Sequence, residues 1–236
     1  MIITAHQPLY LPWLGFFDKI IKSDVLCILD EVQFSDGDFI HRNKIRSNTG
    51  PFWITLPIDK KNHLQKKISE IEITQHDWYL AHLDYVAAFY KNSTHFDEIY
   101  PLIYNILEKT NTLNLAQNNT SIIRELMKLL GIKTEVILLS ELGIISRKNQ
   151  LILDICKHLN ATKYISGIRG KDYLDVESFR ALNVEIQLQE YLPPIYKQKF
   201  EPFIPGLSII DLLLNEGRNS SEILRETAKS KYRRLK

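Results

Sequence analysis

The chain has 236 residues and a mass of 27.6 kDa, the size of one large domain or two small ones. Hydrophobic side chains make up 44% and charged ones 25%, which excludes a disordered, collagenous or coiled-coil chain and leaves enough apolar surface to fold without staples. Thirty basic against 28 acidic residues give a net charge of +2, too little to pull the protein toward nucleic acid or an anionic membrane.

Ile2 and Ile3 open a β-prone run that stops at His6-Gln7-Pro8. Pro8 and Pro12 bracket Leu9-Tyr10-Leu11 and bias the preceding residues away from helix, so an extended loop is expected. Trp13 to Lys22 carries Leu14, Phe17, Ile20 and Ile21 at helical spacing. Val25 to Leu29 is continuously apolar between acids, the pattern of a strand buried on both faces. These thirty residues therefore predict a βαβ unit.

Asp30 to Pro51 reads as a long loop, ordered by its Phe34, Phe39, Ile40 and Ile45. Phe52 to Leu56 reads as a strand closed by Pro57, and Ile68, Ile71 and Ile73 as a further strand-like stretch. From His76 to Gly131 the pattern is helical in three pieces: Trp78 to Tyr90, a segment after Pro101, and Leu115 to Leu130. Val136 to Leu139 is strand-like, and Ser146 is placed to cap the helix carrying Leu151, Ile155, Cys156 and Leu159. Tyr164-Ile165 and Val184 to Leu188 are two more strands, separated by a Ser-Gly loop and a helix from Asp172 to Leu182. Leu207 to Leu214 is an apolar helix stopped by Gly217, and residues 220–236 read as a basic, polar helix or tail.

The expected fold is α/β, a mostly parallel sheet flanked by helices, in one domain spanning 1–236 with a mainly helical insertion at about 76–131. Residues 1–75 and 132–190 should share that sheet. Cys27 and Cys156 stand far apart in apolar runs, so they should be buried and reduced, which fits the cytoplasm. Met-Ile-Ile-Thr-Ala-His has no secretory character, and no apolar run approaches the ~20 residues of a membrane span.

Ligands of open α/β sheets bind beyond the carboxyl ends of the strands. His6 follows the first strand directly, with Gln7 and Tyr10 in the same loop, and Asp30 follows the second, with Gln33 three residues on. Asp30 could orient an imidazole, hold a ribose hydroxyl or assist a cation; the alternative is a solvated strand end. His41-Arg42-Asn43-Lys44-Ile45-Arg46 concentrates three bases, an anion trap suited to phosphate or carboxylate or simply a solvated face. Ser166, Gly167, Gly170 and Tyr173 belong to a late strand-to-helix loop where backbone can approach a ligand closely. The chain has no Cys-x-x-Cys, no His-Glu-x-x-His and no Gly-x-Ser-x-Gly, so neither a zinc site nor a serine-hydrolase elbow is expected and no metal ligands are assigned.

The opening Ile-Ile-Thr-Ala-His-Gln-Pro-Leu-Tyr-Leu-Pro-Trp-Leu-Gly-Phe-Phe-Asp-Lys-Ile resembles the start of the WbqC-like protein family. The likeness continues through Asp30-Glu31-Val32-Gln33-Phe34, Arg42-Asn43-Lys44-Ile45, Tyr164-Ile165-Ser166-Gly167, Pro194-Ile195-Tyr196 and Leu207 to Leu213. The resemblance implies attachment of an aminoacyl or acyl group to a nucleotide-linked amino sugar in bacterial O-antigen and surface-glycan biosynthesis. It implies no particular catalytic residues. In such a transferase His6 would be the general base, with Gln7 or Asp30 orienting it, and Arg42 and Lys44 would hold phosphate. The acyl donor would be an adenylate, a thioester or an aminoacyl ester, with ATP as one candidate activator. The competing reading is a noncatalytic module that binds a phosphorylated sugar or organises the assembly pathway. A nucleic-acid reader is disfavoured by the near-zero charge.

Overall fold

The computed structural model describes residues 1–226 and 230–235. β1 (Ile2–His6) runs through the proline loop into α1 (Leu14–Ile21) and back into β2 (Val25–Ile28), with β1 and β2 parallel and His6 opposite Ile28. The βαβ unit is therefore present.

The next segment departs from expectation. Arg42–Ser47 is a strand, β3, paired antiparallel with β4 (Gly50–Thr55) in a two-stranded hairpin separate from the main sheet. Residues 1–75 thus do not all join one sheet. The period-two signal was present but faint: Asn43 and Ile45 turn inward with no exposure, while Arg42 and Lys44 alternate with them on the side of Trp53. The stretch around Ile68, Ile71 and Ile73 is a short 3-10 turn over Ile68–Glu70 with isolated bridges, although all three isoleucines are buried.

Three helices follow as expected: α2 (Trp78–Tyr90), α3 (Phe96–Thr110) and α4 (Leu115–Leu129). α3 starts before Pro101 rather than after it, its first turn carrying Asp97 and Glu98 against the positive end of the helix dipole. The chain then returns to the sheet through β5 (Glu135–Leu138) and the single turn α5 (Leu139–Leu142). It continues through α6 (Lys148–His158), β6 (Lys163–Gly167), α7 (Val176–Ala181) and β7 (Glu185–Glu190). Ser146 does not cap α6: its hydroxyl donates to Asp154 at 2.6 Å, and Arg147 occupies the cap. After α8 (Ile209–Glu216) and α9 (Ser220–Glu226), Lys231–Arg234 forms β8. β8 pairs antiparallel with β7, where a helix or tail was expected; residues 227–229 and 236 of that expectation lie outside the described residues.

The sheet order is β5-β2-β1-β6-β7-β8, parallel except for β8. Ile3, Ala5, Val25, Cys27 and Tyr164 face one apolar layer with Leu151, Ile152 and Ile155 of α6 and Phe179 of α7. Leu26 and Ile28 face the other, where α1, the hairpin, the three inserted helices and α8 form a larger core. Alternation along β1 therefore turns His6 toward α1. Cys27 and Cys156 are free and buried, and burial pushes both thiols up to about 12. No helix among the described residues is long and apolar enough to cross a membrane.

Candidate functional site

Three neighbouring strands end together at the carboxyl edge of the sheet. Thr4 lies opposite Ile165, so two residues further His6 comes level with Gly167, and Gly167 lies opposite Gln189. Gln189 in turn pairs with Tyr232 of β8. α1 runs back over this row. The Phe16 ring meets the His6 ring edge-on at 5.1 Å. On the other side the Gln189 amide donates to the Gly15 carbonyl at 2.9 Å and to the Asp18 carboxylate at 2.6 Å, and the Tyr232 hydroxyl donates to the same carboxylate oxygen at 2.6 Å. Gly15 has no room for a side chain, because a Cβ there would lie 2.4 Å from the Trp13 ring. Trp13 packs edge-on against Tyr191 at 5.0 Å.

His6 Nδ1 lies 3.1 Å from the Gln7 carbonyl. A carbonyl only accepts, so Nδ1 carries the proton and Nε2 keeps its lone pair. Burial, reinforced by the charge of Lys19, lowers the imidazole to about 3, so it is neutral at physiological pH.

The other sequence-selected residues divide into those near this edge and those spent on holding the frame. Asp30 belongs to the second group. Its carboxylate accepts from the Ser140 amide at 3.0 Å and the Ser140 hydroxyl at 2.6 Å, capping the turn after β5. The partner of His6 is the main chain of Gln7 and not Asp30. Asn43 is fully buried and donates to the carbonyls of Tyr10 and Leu11 at 3.0 and 2.7 Å, tying the hairpin to the proline loop. Tyr10 is buried too, its hydroxyl 2.6 Å from His82 Nδ1. The Gln33 amide donates to the Leu64 carbonyl at 2.6 Å.

Arg42 and Lys44 sit over the Trp53 ring at 4.5 and 4.7 Å, and Phe39 stacks on the same ring at 5.7 Å. Trp53 is 40% exposed, so this is a cationic, aromatic surface. Arg42 also donates to the Asp36 carbonyl at 3.3 Å, and Asp38 approaches Arg169 beyond β6 at 4.0 Å, bringing the loop after β2 to the loop after β6. Arg46, the third base, is buried and donates to the carbonyls of Glu201 and Pro202. Ser166 is buried against Gly170, where a Cβ would collide with its hydroxyl, while Tyr173 is 45% exposed. Two hollows, sharing Gly131 and Arg225, hold none of the residues selected from the sequence. Among the described residues no group of three or more His, Cys, Asp or Glu is placed to hold a metal.

Sequence reasoning passed over Asp18, Lys19, Gln189 and Tyr191. One signal was legible: an Asp-Lys pair inside Leu-Gly-Phe-Phe-Asp-Lys-Ile-Ile, a helix buried from Leu14 to Ile20, is charge where a helix apolar all round should have none. Gln189 and Tyr191 carried no local signal and are brought here by strand register alone.

The description "WbqC-like protein family" belongs to the family model that matches residues 7–223 of this chain. The uncharacterized protein Rv1507c of Mycobacterium tuberculosis is 31% identical over 224 residues, covering 94% of this chain and 97% of that protein. No solved structure matches the chain.

Proposed function

The chain belongs to the WbqC-like protein family, and for this member we propose a transferase that attaches an aminoacyl or acyl group to a nucleotide-linked amino sugar in bacterial surface-glycan biosynthesis, acting in the cytoplasm. The observation that carries the reading is His6: a neutral imidazole at the carboxyl edge of a parallel sheet, its Nδ1 committed to a carbonyl and its Nε2 free to accept a proton. In the proposed step the sugar amine attacks the carbonyl carbon of an activated acyl donor. The C–N bond forms, the donor's leaving group departs with its electron pair, and the proton of the amine passes to Nε2. Arg42 and Lys44, both packed on the Trp53 ring, offer charge to the phosphates. The donor is an activated acid, and where it is an adenylate ATP is consumed to make it.

The depth to which His6 is desolvated favours a second reading, a noncatalytic module that binds a phosphorylated sugar, because an imidazole at about 3 is a weak base. Incubating the protein with nucleotide-linked amino sugars, amino acids and ATP separates the two. A mass gain on the sugar that needs His6 supports transfer. Saturable sugar binding with no mass gain under any donor supports the module.

A further inference from the structure

α1 carries a charge that its surroundings leave unbalanced. The Lys19 side chain is 4% exposed, and it has no hydrogen-bond or ion-pair partner among the described residues. A buried ammonium without a counter-charge is expensive, and burial lowers Lys19 to about 8. No ion pair joins it to the neighbouring Asp18, whose carboxylate is turned to the Gln189 amide and the Tyr232 hydroxyl.

Helix geometry fixes where Lys19 points. Gly15 touches Gln189 of β7 and Phe16 touches His6 of β1. Lys19 is four residues beyond one and three beyond the other, so it lies between them on the helix face, above β6. Side chains tilt back toward a helix's N-terminus, which in a βαβ unit is the direction of the strands' carboxyl ends. The β6 residue at that level is Gly167, and a Cβ placed there would meet nothing within 4 Å. Lys19 is thus aimed at a gap floored by Gly167 and walled by His6 and Gln189. Tyr191, next in alternation after Gln189, brings a second buried donor, a hydroxyl without a hydrogen-bond partner among the described residues.

We propose that this gap is a binding site for one carboxylate group, held by the Lys19 ammonium and the Tyr191 hydroxyl beside His6. A carboxylate brings one negative charge to the Lys19 ammonium; a doubly charged phosphate would bring more repulsion from the Asp18 carboxylate, whose field already reaches the Tyr191 hydroxyl. The site does not depend on the transferase reading. Should that reading hold, a carboxylate beside Lys19 cancels the ammonium's repulsion of a proton on His6 and strengthens the imidazole as a base.

The test is thermal unfolding in sodium acetate, sodium chloride and sodium phosphate at matched ionic strength. Acetate should raise the melting temperature of the wild-type protein in proportion to the logarithm of its concentration, beyond chloride and phosphate. Lys19→Met keeps the volume, removes the buried charge and should weaken acetate roughly 10–100-fold. Gly167→Val fills the gap with Lys19 intact and should abolish the acetate response; with φ −67° and ψ 167°, Gly167 has a backbone that any residue adopts. An acetate response equal to that in chloride, or unchanged in Lys19→Met, overturns the site. A response to phosphate alone overturns its assignment to a carboxylate. Turnover enters none of these readouts, so failure here and failure of the transferase are separate results.

Discussion

His6, His41 and His82 are three histidines that the folded protein keeps neutral. Burial is the first cause in each, and it brings His6 to about 3 and the other two to about 4. In the unfolded chain each titrates near 6.5. Between these values the unfolded state binds protons that the native state does not, so stability falls as pH falls, by up to about 1.4 kcal/mol per pH unit for each histidine. Most carboxylates titrate lower, so melting temperature measured from pH 7 to 5 should decline steeply, and a flat profile would contradict the burial of these rings. Under the proposed transfer, His6 also has a kinetic signature. His6→Ala should slow transfer roughly 10²–10⁴-fold with little change in KM. Arg42→Ala should instead raise KM for a phosphorylated sugar, through loss of charge-assisted hydrogen bonds worth about 1.5–3 kcal/mol. Steady-state kinetics of the two variants distinguishes a base from a binding group. The placement of His6 and Gly167 at one edge was legible because each lies where an apolar, β-prone run gives out, and each is the last residue of its strand. The commitment of Asp30 to Ser140 was not, because Ser140 is 110 residues away and nothing local announces it.

At the level of elements, the polar composition of β3 concealed its strand. Arg-Asn-Lys-Ile-Arg-Ser looks like loop until Asn43 is recognised as an inward-facing residue whose amide is satisfied by the proline loop. β8 was concealed in the same way: Lys-Tyr-Arg-Arg reads as a solvated tail, yet Tyr232 turns inward to Asp18 and the basic side chains decorate an edge strand. Asn43 is the joint between hairpin and loop. In Asn43→Ala the Leu11 carbonyl keeps the Ser208 hydroxyl at 2.8 Å, whereas the Tyr10 carbonyl loses its side-chain donor. The cost should be about 1–3 kcal/mol by urea unfolding, and Asn43→Asp should be at least as damaging, since a carboxylate cannot donate. A loss smaller than a few tenths of a kcal/mol would mean the hairpin is held by its apolar face alone. The long helical patterns of α2 and α4 were legible nearly to the residue, because 13 and 15 residues of periodicity leave little ambiguity.

On the scale of the whole molecule, the alternation of strand and helix at both ends of the sequence pointed to one parallel sheet, and the strand order interleaves the two ends. β1 and β2, from the first thirty residues, lie between β5 and β6, which come after the helical insertion. Removing either part would expose unpaired strand edges and split both apolar layers. The insertion is also tied down: Asn119 of α4 donates to the carbonyls of Pro8 and Ile40, and Tyr90 of α2 donates to Asp211 of α8. We therefore propose that the chain is a single folding unit, helical insertion included. Its tryptophans are placed to test this, with Trp13 before α1, Trp53 on the hairpin and Trp78 at the start of α2. Urea unfolding followed by far-ultraviolet circular dichroism and by the fluorescence of single-tryptophan variants should give coincident midpoints and one two-state transition. A Trp78 signal that melts apart from Trp13 would instead assign the helical segment to a domain of its own, and the asparagine ties of α4 to a docking contact.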